Sequence, residues 1–335
     1  MRVLNVVTTS DAPFFEQQVE VLAEKGVESD TVAVSQEVSD TASSDASRSV
    51  RDYARTVVSL LRRSQHEYDL IHIHYGLLSP LAFVELTRPV VVTFWGSDLM
   101  AGDWFSHVSQ AMATHCDEVI VPSPAMSSYL SCPHHVIPFG VDVERFRPVD
   151  PSAFLARHGL DDLPADRPLV GYTGRHGHEK RLEAVVEAAA DLDVTVVFAG
   201  DGPARSKLEK LAVAGDVDGR FLGCLDREEL PAFYSALDVF AFPSPVETQG
   251  IVAMEAMASG TPVVAAAAGA LTETVEDGVT GYHFEPGDVA GFRDAIRRAI
   301  EERDRLREAC LDRREAMSVD HAVDRLAEVY ASLTR

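Results

Sequence analysis

Between Thr248 and Thr272 the 335-residue chain runs through 25 positions with a single charged side chain, Glu255. Its neighbours are Ile, Val, Ala and Met, the composition of a buried helix. Burying a carboxylate without partners costs roughly several kcal/mol, so Glu255 must meet hydrogen-bond donors. A vicinal diol such as ribose supplies two. Glu247 stands just before this helix, with Thr248, Gln249 and Gly250 expected in its first turn. Free N–H groups and the helix dipole favour a phosphate there, and Gly250 would let the anion approach the backbone closely. Other catalytic signatures are missing: GxSxG, HExxH and a Walker A loop are absent, and Arg205 stands where the third glycine of a dinucleotide fingerprint beginning Gly200-Asp-Gly202 would be. Asp191-Leu-Asp193 has the form of a metal-binding DxD, but it precedes its strand and is taken as a helix C-terminal turn. His176-Gly-His178 has no third ligand nearby, so no metal site is expected.

The elements that must position these residues alternate regularly. Apolar strand-like runs occur at Val3–Thr8, Asp30–Val34, Leu70–His74, Val90–Phe94, Glu118–Val121 and His135–Ile137. They recur at Leu169–Tyr172, Thr195–Ala199, Phe221–Leu222, Val239–Phe242 and Pro262–Ala266, with amphipathic helices between. Continuous apolar strands in βαβ alternation imply α/β architecture with parallel sheets covered on both faces. A Pro- and Asp-rich stretch separates two Rossmann-like, doubly wound domains expected to face a central cleft. The expected limits are 1–147 for the first domain, 148–167 for a linker and 168–317 for the second, with a helix over 318–335 returning to the first. The tail from Val289 is expected as two charged amphipathic helices broken near Ser318, and Ser35–Ser49 as a surface loop. Gly250–Leu271 is long enough to span a bilayer. Gly260-Thr261-Pro262 breaks it, however, so a buried helix followed by a strand explains it better. The opening MRVLNVVTTSD is expected to be a strand and not a signal peptide.

The spacing of Glu247 and Glu255, followed by AMASGTPVVA, resembles glycosyltransferase family 4, the retaining GT-B enzymes. Gly174-Arg175 with Glu179-Lys180 is similar to the family's phosphate-binding G-R-x3-E-K. Gly200-Asp-Gly-Pro203, Phe221-Leu-Gly223 with Leu230 and Tyr234, and Gly278-Val-Thr-Gly281 follow in family order. The resemblance implies a nucleotide-sugar donor in the second domain and an acceptor in the first. Arg175 and Lys180 would neutralise the donor diphosphate, beside Gly174. Glu247 would hold donor-sugar hydroxyls and Glu255 the ribose. The amides of Gln249, Gly250 and Ile251 would lie near the diphosphate, and main-chain atoms around Leu225 near the base. A surface salt bridge for Lys180 and a core-edge place for Glu255 are the plainer alternatives.

The first domain matches less closely. Val136-Ile-Pro-Phe-Gly140-Val-Asp142 resembles an interdomain P-N-G-V-D with Phe139 in place of Asn. His72-Ile-His74-Tyr-Gly76 and Val92-Thr-Phe-Trp95-Gly-Ser-Asp98 resemble two strand ends, with Trp95 replacing a histidine that usually reaches the donor sugar. Thr9-Ser-Asp-Ala-Pro-Phe-Phe15 stands where a glycine-rich loop is usual. His74, Trp95 and Asp98 are the acceptor-side candidates.

Net charge is −23, with 26 Arg and four Lys among the 30 basic residues. Such a chain repels polyanions, which excludes a general nucleic-acid binder. The acidic, lysine-poor balance suits a halophile cytoplasm, and four scattered cysteines suit reduced thiols. One basic stripe, Arg48, Arg51, Arg55 and Arg62, recurs at helical spacing, and is a candidate for peripheral contact with anionic lipid at the inner face of the membrane. A solvated polar face is the plainer alternative. The family and composition together suggest a cytoplasmic, metal-independent hexosyltransferase working on a polyprenyl- or dolichyl-phosphate-linked glycan. Rivals are a non-catalytic nucleotide-sugar-binding subunit, a sugar-nucleotide epimerase and a sugar-phosphate synthase.

Overall fold

The computed structural model of the protein describes residues 1–9, 12–35, 68–76, 78, 88–102, 104–164 and 166–334. Two compact units emerge: Met1–Gly140 together with Val319–Arg335, and Val141–Ser318. No helix among the described residues is long and apolar enough to cross a membrane.

The first unit is a six-stranded parallel sheet in the order β2-β1-β3-β4-β5-β6. Its strands are β1 (Arg2–Thr9), β2 (Glu28–Ser35), β3 (Leu70–His74), β4 (Val90–Thr93), β5 (Glu118–Val121) and β6 (His135–Val136). Successive strand residues point to opposite faces, and both faces are covered. Leu4, Ile71 and Val92 enter one apolar cluster, and their neighbours Val3, Leu70 and Val91 enter another. The helix Val319–Leu333 closes the second cluster with Val323, Leu326, Val329 and Tyr330. Tyr330 is tied to the sheet through His72 Nδ1 at 2.5 Å, and His72 Nε2 lies 2.7 Å from Thr93 Oγ1.

The second unit is also a six-stranded parallel sheet, but with a different strand order, β12-β11-β10-β7-β8-β9. These strands are β7 (Leu169–Thr173), β8 (Thr195–Ala199), β9 (Asp218–Gly223), β10 (Val239–Phe242), β11 (Val263–Ala266) and β12 (Gly281–Phe284). The chain winds outward from β7 to β9, returns to pair β10 with β7, and then winds the other way. The loops after β7 and β10 therefore meet at a topological switch point, the place where open α/β sheets bind ligands.

Several details differ from expectation. The stretch 148–167 is not a free linker: it carries the helix Ser152–Arg157, and Phe154 and Leu160 enter the second unit's core. Two large apolar side chains among the prolines anchor it, so the division falls at 140/141 and not near 148. The segment after Val289 forms four helices, Val289–Glu301, Arg303–Asp312, Arg314–Met317 and Val319–Leu333. Gly250–Leu271 splits into the helix Ile251–Ala258 and β11, and an unforeseen strand, β12, follows the Gly278–Gly281 motif. Residues 36–49 of the expected surface loop, and Arg48, Arg51, Arg55 and Arg62, lie outside the described residues.

Candidate active site

Gly174 follows β7 directly, and its N–H donates to the Ala199 carbonyl at 3.1 Å, joining the ends of β7 and β8. Gly200, at φ +118°, presses so close that a Cβ would overlap the Gly174 carbonyl oxygen. His176 N–H donates to Asp201 O at 2.8 Å and His176 O accepts from Ala204 N–H at 2.9 Å. The loop bearing Arg175 and Lys180 is thus clamped by backbone hydrogen bonds. The glycines of the incomplete fingerprint hold this joint.

Across the switch point Lys180 Nζ donates to Glu247 Oε1 at 2.6 Å, both side chains being largely buried. Arg175 is more exposed and pairs with Glu179. The Glu247 segment is held from behind: Ala270 N–H donates to Glu247 O at 3.3 Å, and Thr274 Oγ1 to Gln249 O at 2.5 Å. Loops bearing Lys180 and Glu247 also border a cavity of about 530 Å³ lined by His178, Arg181, Glu183, Lys207, Pro243 and Pro245, among others.

Three details of the expected helix start are corrected. The helix begins at Ile251, so Thr248 and Gln249 lie outside its first turn, and Gly250 is its N-cap. Gly250 adopts φ +80°, and a Cβ there would sit 2.7 Å from Leu271 Cδ2, so packing and conformation already require glycine. The Gln249 side chain turns inward, its Nε2 lying 3.0 Å from Met254 Sδ, which leaves only its backbone for a ligand. Leu225 lies two residues past β9, with its side chain against the core.

Glu255 is half-buried on the Ile251–Ala258 helix, and Tyr234 donates its hydroxyl to Glu255 Oε2 at 2.7 Å. Desolvation raises the carboxyl to about 7, against the lowering effects of the Tyr234 hydrogen bond and of Arg227 and Arg145. A carboxyl poised near neutrality, wanting more donors than one phenol supplies, is suited to a diol. The Tyr234 partnership was missed because only the segment Leu230–Tyr234, and not its hydroxyl, carried a signal.

The first unit's candidates do not form a comparable polar site. His74 is buried, with Nε2 3.2 Å from Asn5 Oδ1 and its ring 3.9 Å from that of His72. Burial drops its pKa to about 3, so it is a neutral packed imidazole. Asp98 is buried too, and accepts from the backbone N–H groups of Gly76 at 2.6 Å, Gly96 at 2.7 Å and Trp95 at 3.1 Å. Burial raises its pKa while these amides pull it back. Its carboxylate ties the ends of β3 and β4 together. Trp95 is half-exposed at the end of β4, and its Nε1–H is buried with no acceptor among the described residues. Among the described residues no group of three His, Cys, Asp or Glu side chains could hold a metal ion, and all four cysteines are free.

Solved structures with this architecture are glycosyltransferases of the GT-B class. A sucrose-phosphate synthase from Thermosynechococcus elongatus superposes with a TM-score of 0.80 at 24% identity, covering 99% of both chains. Anabaena HepE, solved with UDP and glucose, gives 0.77 at 21% identity over 99% of this chain and all of that one. The family models agree with the two units: residues 6–145 match Glycosyltransferase Family 4 and residues 161–316 match Glycosyl transferases group 1. A D-inositol 3-phosphate glycosyltransferase of Mycolicibacterium smegmatis is 31% identical over 313 residues, 83% of this chain and 71% of that protein. The sulfoquinovosyl transferase SQD2 of Arabidopsis thaliana is 39% identical over 169 residues, 49% of this chain but only 32% of the relative's length. The chain belongs to the group 1 glycosyl transferases of glycosyltransferase family 4.

Proposed function

We propose that the protein transfers a hexose from a nucleotide sugar to an acceptor hydroxyl with retention of configuration and without a metal. The observation that carries this is the Lys180–Glu247 pair at 2.6 Å across the switch point, with Glu247 on the segment that leads into the helix of the half-buried Glu255. On a bound donor, Lys180 and Arg175 neutralise the diphosphate, whose negative charge grows as the sugar–phosphate bond breaks. Glu247, released from part of its hold on Lys180, accepts hydrogen bonds from the sugar hydroxyls, and Glu255 accepts from the ribose diol. The acceptor hydroxyl attacks the anomeric carbon on the face from which the diphosphate leaves, and its proton passes to the departing phosphate oxygen. Glu247 positions the sugar and forms no bond to it.

The first unit holds the acceptor. We take this to be a lipid-linked glycan, as the family resemblance suggests, handled by a cytoplasmic enzyme that touches the membrane peripherally. Support for the donor half comes from the clamped cationic loop and the poised carboxyl. Support for the acceptor half comes from the resemblance alone.

Thermal stabilisation by UDP, GDP, ADP and dTDP sugars in molar KCl tests the donor half. One nucleotide at a hundredfold excess over its Kd should stabilise by about 2.7 kcal/mol, a shift of roughly 2–4 °C, and Glu255→Ala should abolish it. No shift with any nucleotide would overturn the donor site. Binding without transfer to any polyprenyl-phosphate glycan would favour a non-catalytic subunit, and an epimerised sugar in the absence of acceptor would favour an epimerase.

A further inference from the structure

The cavity of about 530 Å³ in the second unit has the size of a small-molecule site, for which roughly 300–1,000 Å³ is usual. It lies on the other side of the sheet from Glu255. The helix Glu183–Ala189 crosses from β7 to β8 and the helix Ile251–Ala258 from β10 to β11, in opposite directions along the sheet. Right-handed crossovers therefore put the two helices on opposite faces. The cavity is lined by Ala184 and Glu187 of the first helix. Its other walls come from the loop after β10, through Pro243 and Pro245, and from the loop after β12, through Pro286 and Gly287.

The single turn His178–Lys180 serves both sides. Lys180 reaches forward to Glu247, whereas His178 and the next residue, Arg181, line the cavity behind. Arg181 stands at φ +55° and ψ +35°, a left-handed conformation that glycine takes freely and other residues seldom adopt. Its guanidinium has no hydrogen-bond or ion-pair partner among the described residues, and neither has the exposed Glu187 carboxylate. Lys207 also lines the cavity, its Nζ donating to Glu183 Oε1 at 2.9 Å. The cavity thus offers an uncommitted cation and an uncommitted carboxylate between walls of proline.

We infer that this cavity is an effector site for a phosphorylated sugar or polyol. The phosphate meets Arg181, with His178 and Lys207 lining the same cavity, because a guanidinium pairs with phosphate through two parallel hydrogen bonds. The hydroxyls donate to Glu187, and the C–H faces rest on Pro243 and Pro245. Such an occupant bridges, from behind, the two loops that meet at Lys180 and Glu247. When the donor binds, Glu247 gives up part of its hold on Lys180, so the direct tie between those loops weakens. An occupant that joins them from the other side offsets the loss, and donor affinity rises. By linkage the donor tightens the effector by the same factor. The site itself stands without the glycosyltransferase reading, whereas its effect on the donor rests on that reading.

Calorimetric titration of the full chain with glucose 6-phosphate, glycerol 3-phosphate, inorganic phosphate and glucose tests the site. At least one of the two esters should bind about tenfold more tightly than inorganic phosphate or glucose. Arg181→Gly should weaken that ester about tenfold with no loss of melting temperature, since glycine suits φ +55°. Glu187→Gln should bring the ester down towards inorganic phosphate, and Arg175→Ala, on the donor side, should leave it unchanged. With the ester saturating, whichever of UDP, GDP and ADP binds should do so about fivefold more tightly. Arg181→Gly should remove that gain and keep the nucleotide affinity measured without ester. Competition between ester and nucleotide, with ester binding lost in Arg175→Ala and kept in Arg181→Gly, would put the phosphate in the donor site and overturn the effector site. Silence toward both esters would overturn it too, and ester binding that leaves nucleotide affinity unaltered would overturn the coupling. An ester that binds through Arg181 while no nucleotide binds would uphold the cavity and sink the glycosyltransferase reading.

Discussion

Both sheets are six-stranded and parallel, though the first has one strand and the second two on the far side of the opening strand. Each has a switch point whose loops carry different chemistry. In the second unit the loops after β7 and β10 bring Lys180 onto Glu247, with Arg175 beside them. In the first unit the corresponding loops after β1 and β3, joined by that after β4, bring rings together: Phe14, Tyr75 and Trp95. Backbone architecture therefore says where a ligand sits, and a few loop residues say what it is. On the proposed reading the ions of the second unit meet the donor diphosphate, whose charge grows during reaction.

The sharpest way to break this contrast is to remove the ions. Lys180→Met should lower kcat by about 100- to 1,000-fold, because it deletes stabilisation of the leaving diphosphate and strands Glu247. Steady-state rates at saturating donor would show this, and a Trp95→Phe variant losing as much kcat would erase the distinction. Next in size is the joint beneath the ions. Gly200→Ala forces a side chain into the Gly174 carbonyl at φ +118°, and urea unfolding should register a loss of about 3 kcal/mol in the second unit. The same substitution at Gly26, also at positive φ but with open space around it, should cost about 1 kcal/mol in the first.

Acid separates the units more gently. The folded His74 stays neutral down to about pH 3, whereas an unfolded chain takes up its proton near 6.5. Stability of the first unit is therefore full above pH 6.5 and drains as pH falls, by roughly 2 kcal/mol at pH 5. His72, driven the same way by burial, adds to this. Denaturation followed by Trp95 emission in the Trp104→Phe variant should show a midpoint that drops between pH 7 and 5; a flat profile would mean that water reaches the two imidazoles.

The smallest effect sharpens the second unit. With the Glu255 carboxyl raised to about 7, the unliganded protein loses stability as pH climbs from 4.5 to 7, because the folded state holds a proton that the unfolded state has released. A ribose diol prefers the ionised form, so nucleotide affinity should rise roughly tenfold from pH 6 to 8. In Glu255→Gln that rise should flatten, and calorimetric titration at the two pH values distinguishes the cases.

What could be seen in the sequence follows from how local each signal is. The strands Leu70–His74, Glu118–Val121, Thr195–Ala199 and Val239–Phe242 stand in the structure with the same bounds, because parallel strands buried on both faces read as unbroken apolar runs. Glu255 was legible as a lone charge in an apolar helix, and Lys180 and Glu247 through motifs that occupy a few consecutive residues. Asp98 stood out as a carboxylate at a strand end, but its hydrogen bonds from the amides at positions 76, 95 and 96 join residues that the sequence keeps apart and only the fold brings together. Phe14, Tyr75 and Phe139 gave no joint signal at all. Only the fold brings these rings together with Trp95, and nothing in their spacing encodes it.

The helix Val319–Leu333 has a consequence for how the chain is made. It supplies one wall of the first unit's core, yet the whole of the second unit is translated before it. A growing chain that emerges N-terminus first shows the ribosome exit an incomplete first sheet, with Val3, Leu70 and Val91 uncovered on one face. The second unit, contiguous in sequence, can finish before the first. The first unit is thus sealed last, because its core waits for a helix that follows the whole of the second unit.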